Sequence, residues 1–410
     1  MSLFDDLPEP SVDSDESNKL EQSDDTPSAS GIKSGSCVEL FPVIYSVISR
    51  KGERPEMQDA HILMDDLMQL MCRGVSSEIG RVGYFGVFDG HGGSRASNFA
   101  CKRLHQHIAA RFPRGGIQQV EKDIKRVLYD SYKKTDEEFL REACQQRPHW
   151  RDGSTAATVL LVNNTLYIAN LGDSKVVLAR FVETPSPSES NHSNGSANNT
   201  DKSPVKNTKL SAICLTKDHN PMDYEERQRI QATGASVQNG RVNSILEVSR
   251  SFGDYQFKKQ GVTCIPDVRK CQLTNDDQFL LIACDGLWKS FPPNEAVCLT
   301  HQLLMKEIEN YKKEHLNSQN GQSTLKLSEI LSQRHLDSVC THLVNEAVLR
   351  MSGDNVTCIL LVFPTIFIEK NSPNDDHSKI SSASNNDDNN NKDDDDTASE
   401  PSSKLPRIEK

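Results

Sequence analysis

Four aspartates stand where strand-like runs end or turns begin: Asp59 in RPEMQDAH, Asp89 in FDGHGG, Asp285 in ACDGLW and Asp354 in SGDN. Asp89 and Asp285 each follow an apolar run and precede a glycine. That pattern puts a carboxylate at a strand end, beside a turn where backbone can approach closely. Several such ends at one rim of a sheet would make a site of hard oxygen donors suited to Mg²⁺ or Mn²⁺. Four carboxylates would balance two divalent ions, and a water held between such ions is a nucleophile near neutral pH. Each Asp-Gly pair taken alone also reads as an ordinary turn. Spacing by itself does not join the four into one site.

The elements that must position these groups come in blocks. FPVIYSVISR (41–50) and RVGYFGVFDG (81–90) are β-branched and apolar, as strands are. Two helical stretches follow, about 94–112 and 118–143. The second carries Val120, Ile124, Val127, Leu128 and Tyr132 at helical spacing. STAATVLLV (154–162), TLYIANLG (165–172) and SKVVLARFV (174–182) are separated by the turn pairs Asn163–Asn164 and Gly172–Asp173. They read most simply as an antiparallel meander. KLSAICLT (209–216) resumes the strand signal. NPMDYEERQRIQATG (220–234) carries helix punctuation, with Asn220 as cap, Pro221 at the first helical position and Gly234 at the end. QFLLIACDG (278–286) and VTCILLVF (356–363) read as buried strands. Between them lie a helix over about 293–306, a polar stretch and a helix over about 336–351. Blocks of strands and helices, without strict alternation, predict an α+β fold.

Charge divides the chain into a body and two tails. The 410 residues carry a formal −11, with 35% hydrophobic and 6% aromatic residues. Residues 1–30 hold nine acids against one lysine, and 371–400 hold nine against two. The stretch 31–370 is then close to neutral, at +2. The expected organisation is an acidic disordered tail over 1–40, a folded domain over 41–366 and a second acidic disordered tail over 367–410. The domain carries a Ser/Asn/Pro-rich insert at about 184–208 and a polar insert at about 308–328. A neutral body without a basic cluster argues against nucleic acid as a partner. No apolar run of about 18 residues exists to cross a membrane, and MSLFDDLPEP lacks the basic and apolar regions of a signal peptide. The eleven cysteines are odd in number, form no CxxC pair and read as reduced thiols. A cytoplasmic monomer is the expectation, with the nucleus as a second location.

Eight segments now join the aspartates. RPEMQDAH, FGVFDGHGG, GSTA, NLGDSK, LTKDHNP, GRVNSILEVSRSFGD, ACDGLW and GDNVT follow one another from about residue 50 to 363. In this order they resemble the protein phosphatase 2C family of metal-dependent serine/threonine phosphatases. The resemblance implies a four-layer α-β-β-α sandwich with two central antiparallel sheets. It also implies hydrolysis of phosphoserine and phosphothreonine by a water bridging two Mg²⁺ or Mn²⁺ ions per domain, with no covalent phosphoenzyme. Asp89 would bridge the two metals and the Gly90 carbonyl would bind one of them. Asp285 and Asp354 would complete the other, and Asp59 would hold metal-bound water. Arg54 matches the family's phosphate-binding arginine, whose guanidinium offers paired donors to phosphoryl oxygens. His91 matches the proposed general acid, since an imidazole with a pKa of about 6.5 can protonate a leaving alkoxide at neutral pH. His61 and His219 read as structural.

Two positions depart from the commonest family pattern. Gln58 stands where many members have Glu, and adds no charge beside Asp59. Lys289 stands where many members have a second Asp, which helps the acids matching Asp173 and Asp285 bind a third, weaker metal. An ammonium cannot ligate a cation, so any third site at Asp173 should be weak or replaced by the lysine charge. These two departures are also what a catalytically weak or silent scaffold would carry, the alternative to an enzyme. Expected partners are phosphoprotein substrates, with kinases or kinase-associated proteins implied by the subfamily resemblance.

Overall fold

The computed structural model describes residues 39–71, 74–183, 208–316 and 330–363. Most of the two acidic tails, the 184–208 insert except its last residue, and much of the 308–328 insert lie outside the described residues. Nine cysteines are described and all are free. No helix among the described residues is long and apolar enough to cross a membrane.

Two five-stranded antiparallel sheets form the framework. The first contains β1 (Ile44–Arg50), β8 (Lys175–Glu183), β9 (Thr208–Cys214), β14 (Asp277–Ala283) and β15 (Val356–Val362), in the order β1-β15-β14-β8-β9. The second contains β2 (Ala60–Met64), β3 (Val82–Phe88), β6 (Ala156–Val162), β7 (Thr165–Leu171) and β13 (Asp267–Gln272), in the order β13-β7-β6-β3-β2. Strands β3, β6, β7, β14 and β15 are buried at every position, so each must be apolar on both faces. Their alternate residues divide between two environments. Phe85, Val87, Val159 and Ile168 of the second sheet meet Leu178, Ile282, Ile359 and Leu361 of the first in one core. Each such side chain contributes about 1.5–3 kcal/mol on burial.

The opposite faces are covered by helices. Helices α1 (Arg95–Arg111) and α2 (Ile117–Gln145) bury Leu104, Ile108, Val120, Leu128 and Tyr132 against Tyr84, Phe88, Leu160 and Tyr167. Helices α6 (Pro293–Leu316) and α7 (Gln333–Leu349) bury Leu304, Leu336, Leu343 and Val344 against Phe279, Leu281, Cys358 and Leu360. A separate small core of Ile230, Val242, Leu246, Val248 and Phe257 supports the segment between α3 (Tyr224–Gln231) and the one-turn helix α4 (Tyr255–Lys258). That segment holds the two-residue strands β10 (Val237–Gln238) and β11 (Arg241–Val242). A third small sheet joins β4 (Gly90–His91), β5 (Gly153–Ser154) and β12 (Phe252–Gly253).

Three expectations from sequence are corrected. The meander ends after two strands: β6 and β7 pair, but β8 crosses into the other sheet beside β14 and β9. The short connector Gly172–Ser174 makes the crossing, and β13 takes the edge next to β7 instead. The segment at 220 does not start a helix at Pro221. The Asn220 side chain and carbonyl accept from the backbone N–H groups of Met222 (2.9 Å) and Asp223 (3.0 Å), closing a turn first, and the helix begins at Tyr224. Helix α6 runs ten residues beyond Lys306 into the polar insert, because Ile308 remains buried against the α7 side of the core.

Candidate active site

The carboxylates gather where strands of both sheets end. Asp89 follows β3, Asp173 sits in the crossing between β7 and β8, Asp285 follows β14 and opens the one-turn helix α5 (Asp285–Trp288), Asp59 precedes β2 and Asp354 precedes β15. Carboxylate oxygens of Asp89, Asp173 and Asp285 lie within 4.8 Å of one another. Asp59, Asp89 and the Cys284 thiol form a second group of the same tightness. Asp89, Asp173, Asp285 and Asp354 line a cleft of about 510 Å³ together with Arg54, Gln58, Gly90, His91 and Lys289.

The concentration of negative charge has a direct consequence. Removal from water, and then the neighbouring Asp59, Asp285, Asp173 and Asp354, raise the Asp89 carboxyl well above the ordinary range. Burial, then the Asp285 and Asp218 charges, push Asp173 up to about 7, with Lys289 opposing. Burial pushes Asp59 up to about 6, against hydrogen bonds from Thr357 and Cys284. Asp59 Oδ2 accepts from Thr357 Oγ1 at 2.7 Å, while Oδ1 is buried with no hydrogen-bond partner among the described residues. Such an orphaned buried oxygen is costly unless something binds it. The donors are hard oxygens crowded beyond their own tolerance, which fits a divalent cation such as Mg²⁺ or Mn²⁺. The Cys284 thiol does not fit that set. Burial raises its pKa well above the usual value, and its sulfur accepts from the Thr357 N–H at 3.1 Å.

Backbone clamps hold the loops in place. Asn355 accepts from the Gln58 N–H at 2.7 Å and donates to the carbonyls of Lys51 (2.7 Å) and Glu56 (3.1 Å). It thus ties the loop carrying Arg54 and Asp59 to the loop carrying Asp354. Thr155 binds the backbone of Asp89 on one side and the Ser174 hydroxyl on the other. Gly90 lies so close to the Gln58 carbonyl and Ser97 Oγ that a Cβ there would overlap both. Gln58 itself lines the cleft.

Asp354 stands at the rim of the acidic group. Its Oδ2 accepts from Arg54 at 2.9 Å and lies 3.4 Å from Lys289 Nζ. Lys289 also pairs with Asp285 Oδ2 at 2.6 Å. The expected phosphate-binding arginine therefore contacts an expected metal ligand, and the lysine bridges two of them. The half-exposed Arg54 side chain faces the open part of the cleft.

His91 occupies another wall, with Nε2 2.7 Å from Asp254 Oδ2. Burial disfavours the charged ring, but the Asp254 carboxylate outweighs it and raises the imidazole pKa. Asp254 is buried, accepts from Ser251 Oγ at 2.6 Å and sits at φ +49°. A non-glycine residue in the left-handed region is costly and is kept where surrounding contacts hold it. Gly153 completes the pair, since a Cβ there would overlap both His91 Nε2 and Asp254 Oδ2. Sequence reasoning missed Asp254 as a site residue. Its signal was the SRSFGD segment, which ends on the Gly-Asp pair that also carries Asp173 and Asp354.

The two histidines read as structural, His61 and His219, are not among the residues lining the cleft. His61 Nδ1 lies 3.3 Å from the Ser49 hydroxyl, outside the cleft lining. His219 is buried, accepts from the Gly172 N–H at 3.0 Å and lies 3.3 Å from Asp267. It thereby supports the backbone next to Asp173. Asp267 in turn pairs with Arg250, which binds the buried Glu226 of α3.

Comparison with known proteins agrees with this architecture. The family model described as protein phosphatase 2C matches residues 44–356. The integrin-linked kinase-associated serine/threonine phosphatase 2C of Homo sapiens is 46% identical over 322 residues, covering 78% of this chain and 73% of that protein. A protein phosphatase 2C of Arabidopsis thaliana is 35% identical over 329 residues, covering 80% of each. The crystal structure of a serine-threonine phosphatase 2C from Toxoplasma gondii superposes with a TM-score of 0.54 at 20% identity, over 78% of this chain and 99% of that one. At that identity the likeness concerns the fold.

Proposed function

The chain belongs to the protein phosphatase 2C family and is a protein serine/threonine phosphatase; we propose that it hydrolyses phosphoserine and phosphothreonine by direct attack of water, in a site that holds two divalent cations. One observation carries this reading: Asp89 and Asp285, with carboxylate oxygens within 4.8 Å of each other, share one cleft with Asp354, Arg54 and His91. The core that joins the two sheets, flanked by a helix-covered core on each side, supports the four-layer α-β-β-α sandwich.

Asp59, Asp89, Asp285, Asp354 and the Gly90 carbonyl are the groups proposed to hold the cations. Bound there, Mg²⁺ or Mn²⁺ would polarise phosphoryl oxygens and supply a deprotonated water nucleophile at neutral pH. The chain's own residues do the rest. Arg54 turns from Asp354 to the phosphoryl oxygens, for which its guanidinium is a paired donor. Asp254 takes one N–H of the His91 imidazolium, leaving the other for the seryl or threonyl oxygen as it departs. Thr357 and Asn355 keep Asp59 and the Arg54 loop in register. Gln58 contributes hydrogen bonding without charge. Lys289 neutralises part of the acidic group and leaves Asp173 a weak third cation site at most.

The name of the human relative associates that protein with integrin-linked kinase. For this chain we propose phosphoprotein substrates in the cytoplasm, with kinases or kinase-associated proteins among its partners. A silent scaffold is the competing reading, favoured by the pairing of Lys289 with Asp285 and Asp354. Single-turnover hydrolysis of a phosphothreonine peptide in ¹⁸O-labelled water, with Mn²⁺ present, tests the proposal. One ¹⁸O should enter the released phosphate, and quenched protein should carry no phosphate. A trapped phosphoenzyme would refute the direct mechanism, and no turnover would favour the scaffold.

A further inference from the structure

Beside the catalytic cleft lies a second cavity of about 340 Å³, lined by Arg147, Pro148, His149, Trp150, Arg151, Tyr255 and Gln256. Arg151 and Gln256 line both cavities, so a chain leaving the cleft on that side enters the second one directly. Its composition is specific: two arginines, three rings and no acid. Neither Arg147 nor Arg151 forms an ion pair among the described residues. Arg147 Nη1 donates only to the carbonyls of Cys144 (3.1 Å) and Gln146 (3.0 Å) and lies 3.2 Å from the His149 ring. Trp150 is anchored from behind, against Phe139 and under the Arg95 guanidinium. That guanidinium is itself fixed by the fully buried Asp152. Tyr255 stays half-exposed beside His149. A rigid aromatic floor with unpaired guanidinium groups at its edge suits an extended peptide bearing a carboxylate.

We propose that this cavity is a specificity subsite that binds an aspartate or glutamate side chain of the substrate polypeptide, flanking the phosphorylated residue. The occupant is set by charge complementarity, since the cavity offers cations and rings but no acceptor carboxylate. Because Arg151 and Gln256 line both cavities, the acid lies close in sequence to the phosphorylated residue. Arg147 lines this cavity and not the catalytic cleft, and its side chain bonds only to its own segment, so it acts on substrate choice alone. The inference rests on the phosphatase reading above.

The test uses the full chain with Mn²⁺ and three substrates. These are p-nitrophenyl phosphate, a phosphothreonine peptide with Asp and Glu at the flanking positions, and the same peptide with Asn and Gln there. The wild type should prefer the acidic peptide by roughly tenfold in kcat/KM, expressed in KM, as an exposed charge-assisted contact allows. Arg147→Glu should abolish or invert that preference while p-nitrophenyl phosphate turnover stays unchanged, and Arg147→Lys should retain most of it. Tyr255→Ala should raise KM for both peptides. Equal use of the two peptides by the wild type, or a preference that survives Arg147→Glu, overturns the subsite while leaving the phosphatase reading intact. Failure on p-nitrophenyl phosphate as well overturns both.

Discussion

His91 Nε2 and Asp254 Oδ2 lie 2.7 Å apart, although the two residues are 163 positions apart in the chain. The carboxylate holds the ring in one orientation and favours its charged form. In the proposed role of general acid, His91 would work in its protonated state, below its pKa. Asp254→Asn removes the charge that raises that pKa. The alkaline limb of the kcat profile should therefore move to lower pH, with activity at about pH 8 falling roughly tenfold or more. Activity near pH 6 should fall less. A pH profile unchanged in Asp254→Asn would remove this pair from the mechanism.

Lys289 bridges Asp285 and Asp354, where it would compete with the proposed cations for the same oxygens. Lys289→Asp replaces that competitor by a ligand. It should create a further Mn²⁺ dependence in activity titrations, and calorimetry should register an additional weak ion. In the wild type, Asp173→Ala should leave the Mn²⁺ titration almost unchanged. A millimolar component in the wild type that disappears in Asp173→Ala would contradict this account of the lysine.

The acidic group also sets how metal-free stability responds to pH. Asp59 at about 6 and Asp173 at about 7 lie above the ordinary carboxylate value of 3.8. Between that value and these, the folded metal-free protein binds more protons than the unfolded chain. Its stability is then lost as pH rises through the window. Melting in the presence of chelator should give a Tm that falls between about pH 5 and pH 8, and Asp173→Asn should flatten the slope. Added Mn²⁺ should restore stability most at the higher pH, where fewer protons must leave. A chelated protein whose Tm rises through this window, with no effect of Asp173→Asn, would count against the placement of these acids.

Asn355 joins two loops through three hydrogen bonds while 5% exposed. Asn355→Ala removes three hydrogen bonds between a buried side chain and partly buried or exposed backbone groups. At about 0.5–1.5 kcal/mol for each hydrogen bond lost, the loss of stability should reach roughly 2–4 kcal/mol. The Arg54 loop is released with it, so KM for phosphopeptide should rise. Denaturant unfolding and steady-state kinetics check both effects.

Much of this was legible from the residues, for identifiable reasons. Fully buried strands such as β14 and β15 are apolar over most of their length, so QFLLIACDG and VTCILLVF announce themselves. A carboxylate between such a run and a glycine marks a strand end, which is how Asp89 and Asp285 stand out. Long-range pairing left weaker traces. Nothing local in Gly172–Ser174 says that the chain changes sheet there, because a hairpin turn and a crossing share the same residue types. Asp254 carries the Gly-Asp signal but opens a helix of one turn, too short to leave a periodic pattern. The start of α3 was misplaced because Asn220 and Pro221 suit a turn as well as a helix entry. The polar insert concealed the end of α6, whose single buried Ile308 gives little periodicity to follow.

The central claim is that the converging carboxylates hold divalent cations that the hydrolysis requires. The most direct measurement is phosphate release from a phosphothreonine peptide, made alongside calorimetric Mn²⁺ titration, for the wild type, Asp89→Asn and Asp285→Asn. The wild type should bind Mn²⁺, release phosphate only with the metal present and lose activity reversibly to chelator. Both variants should remain folded, bind Mn²⁺ at least tenfold more weakly and lose at least a hundredfold in kcat. Full activity in either variant, or phosphate release from the chelated wild type, would contradict the account.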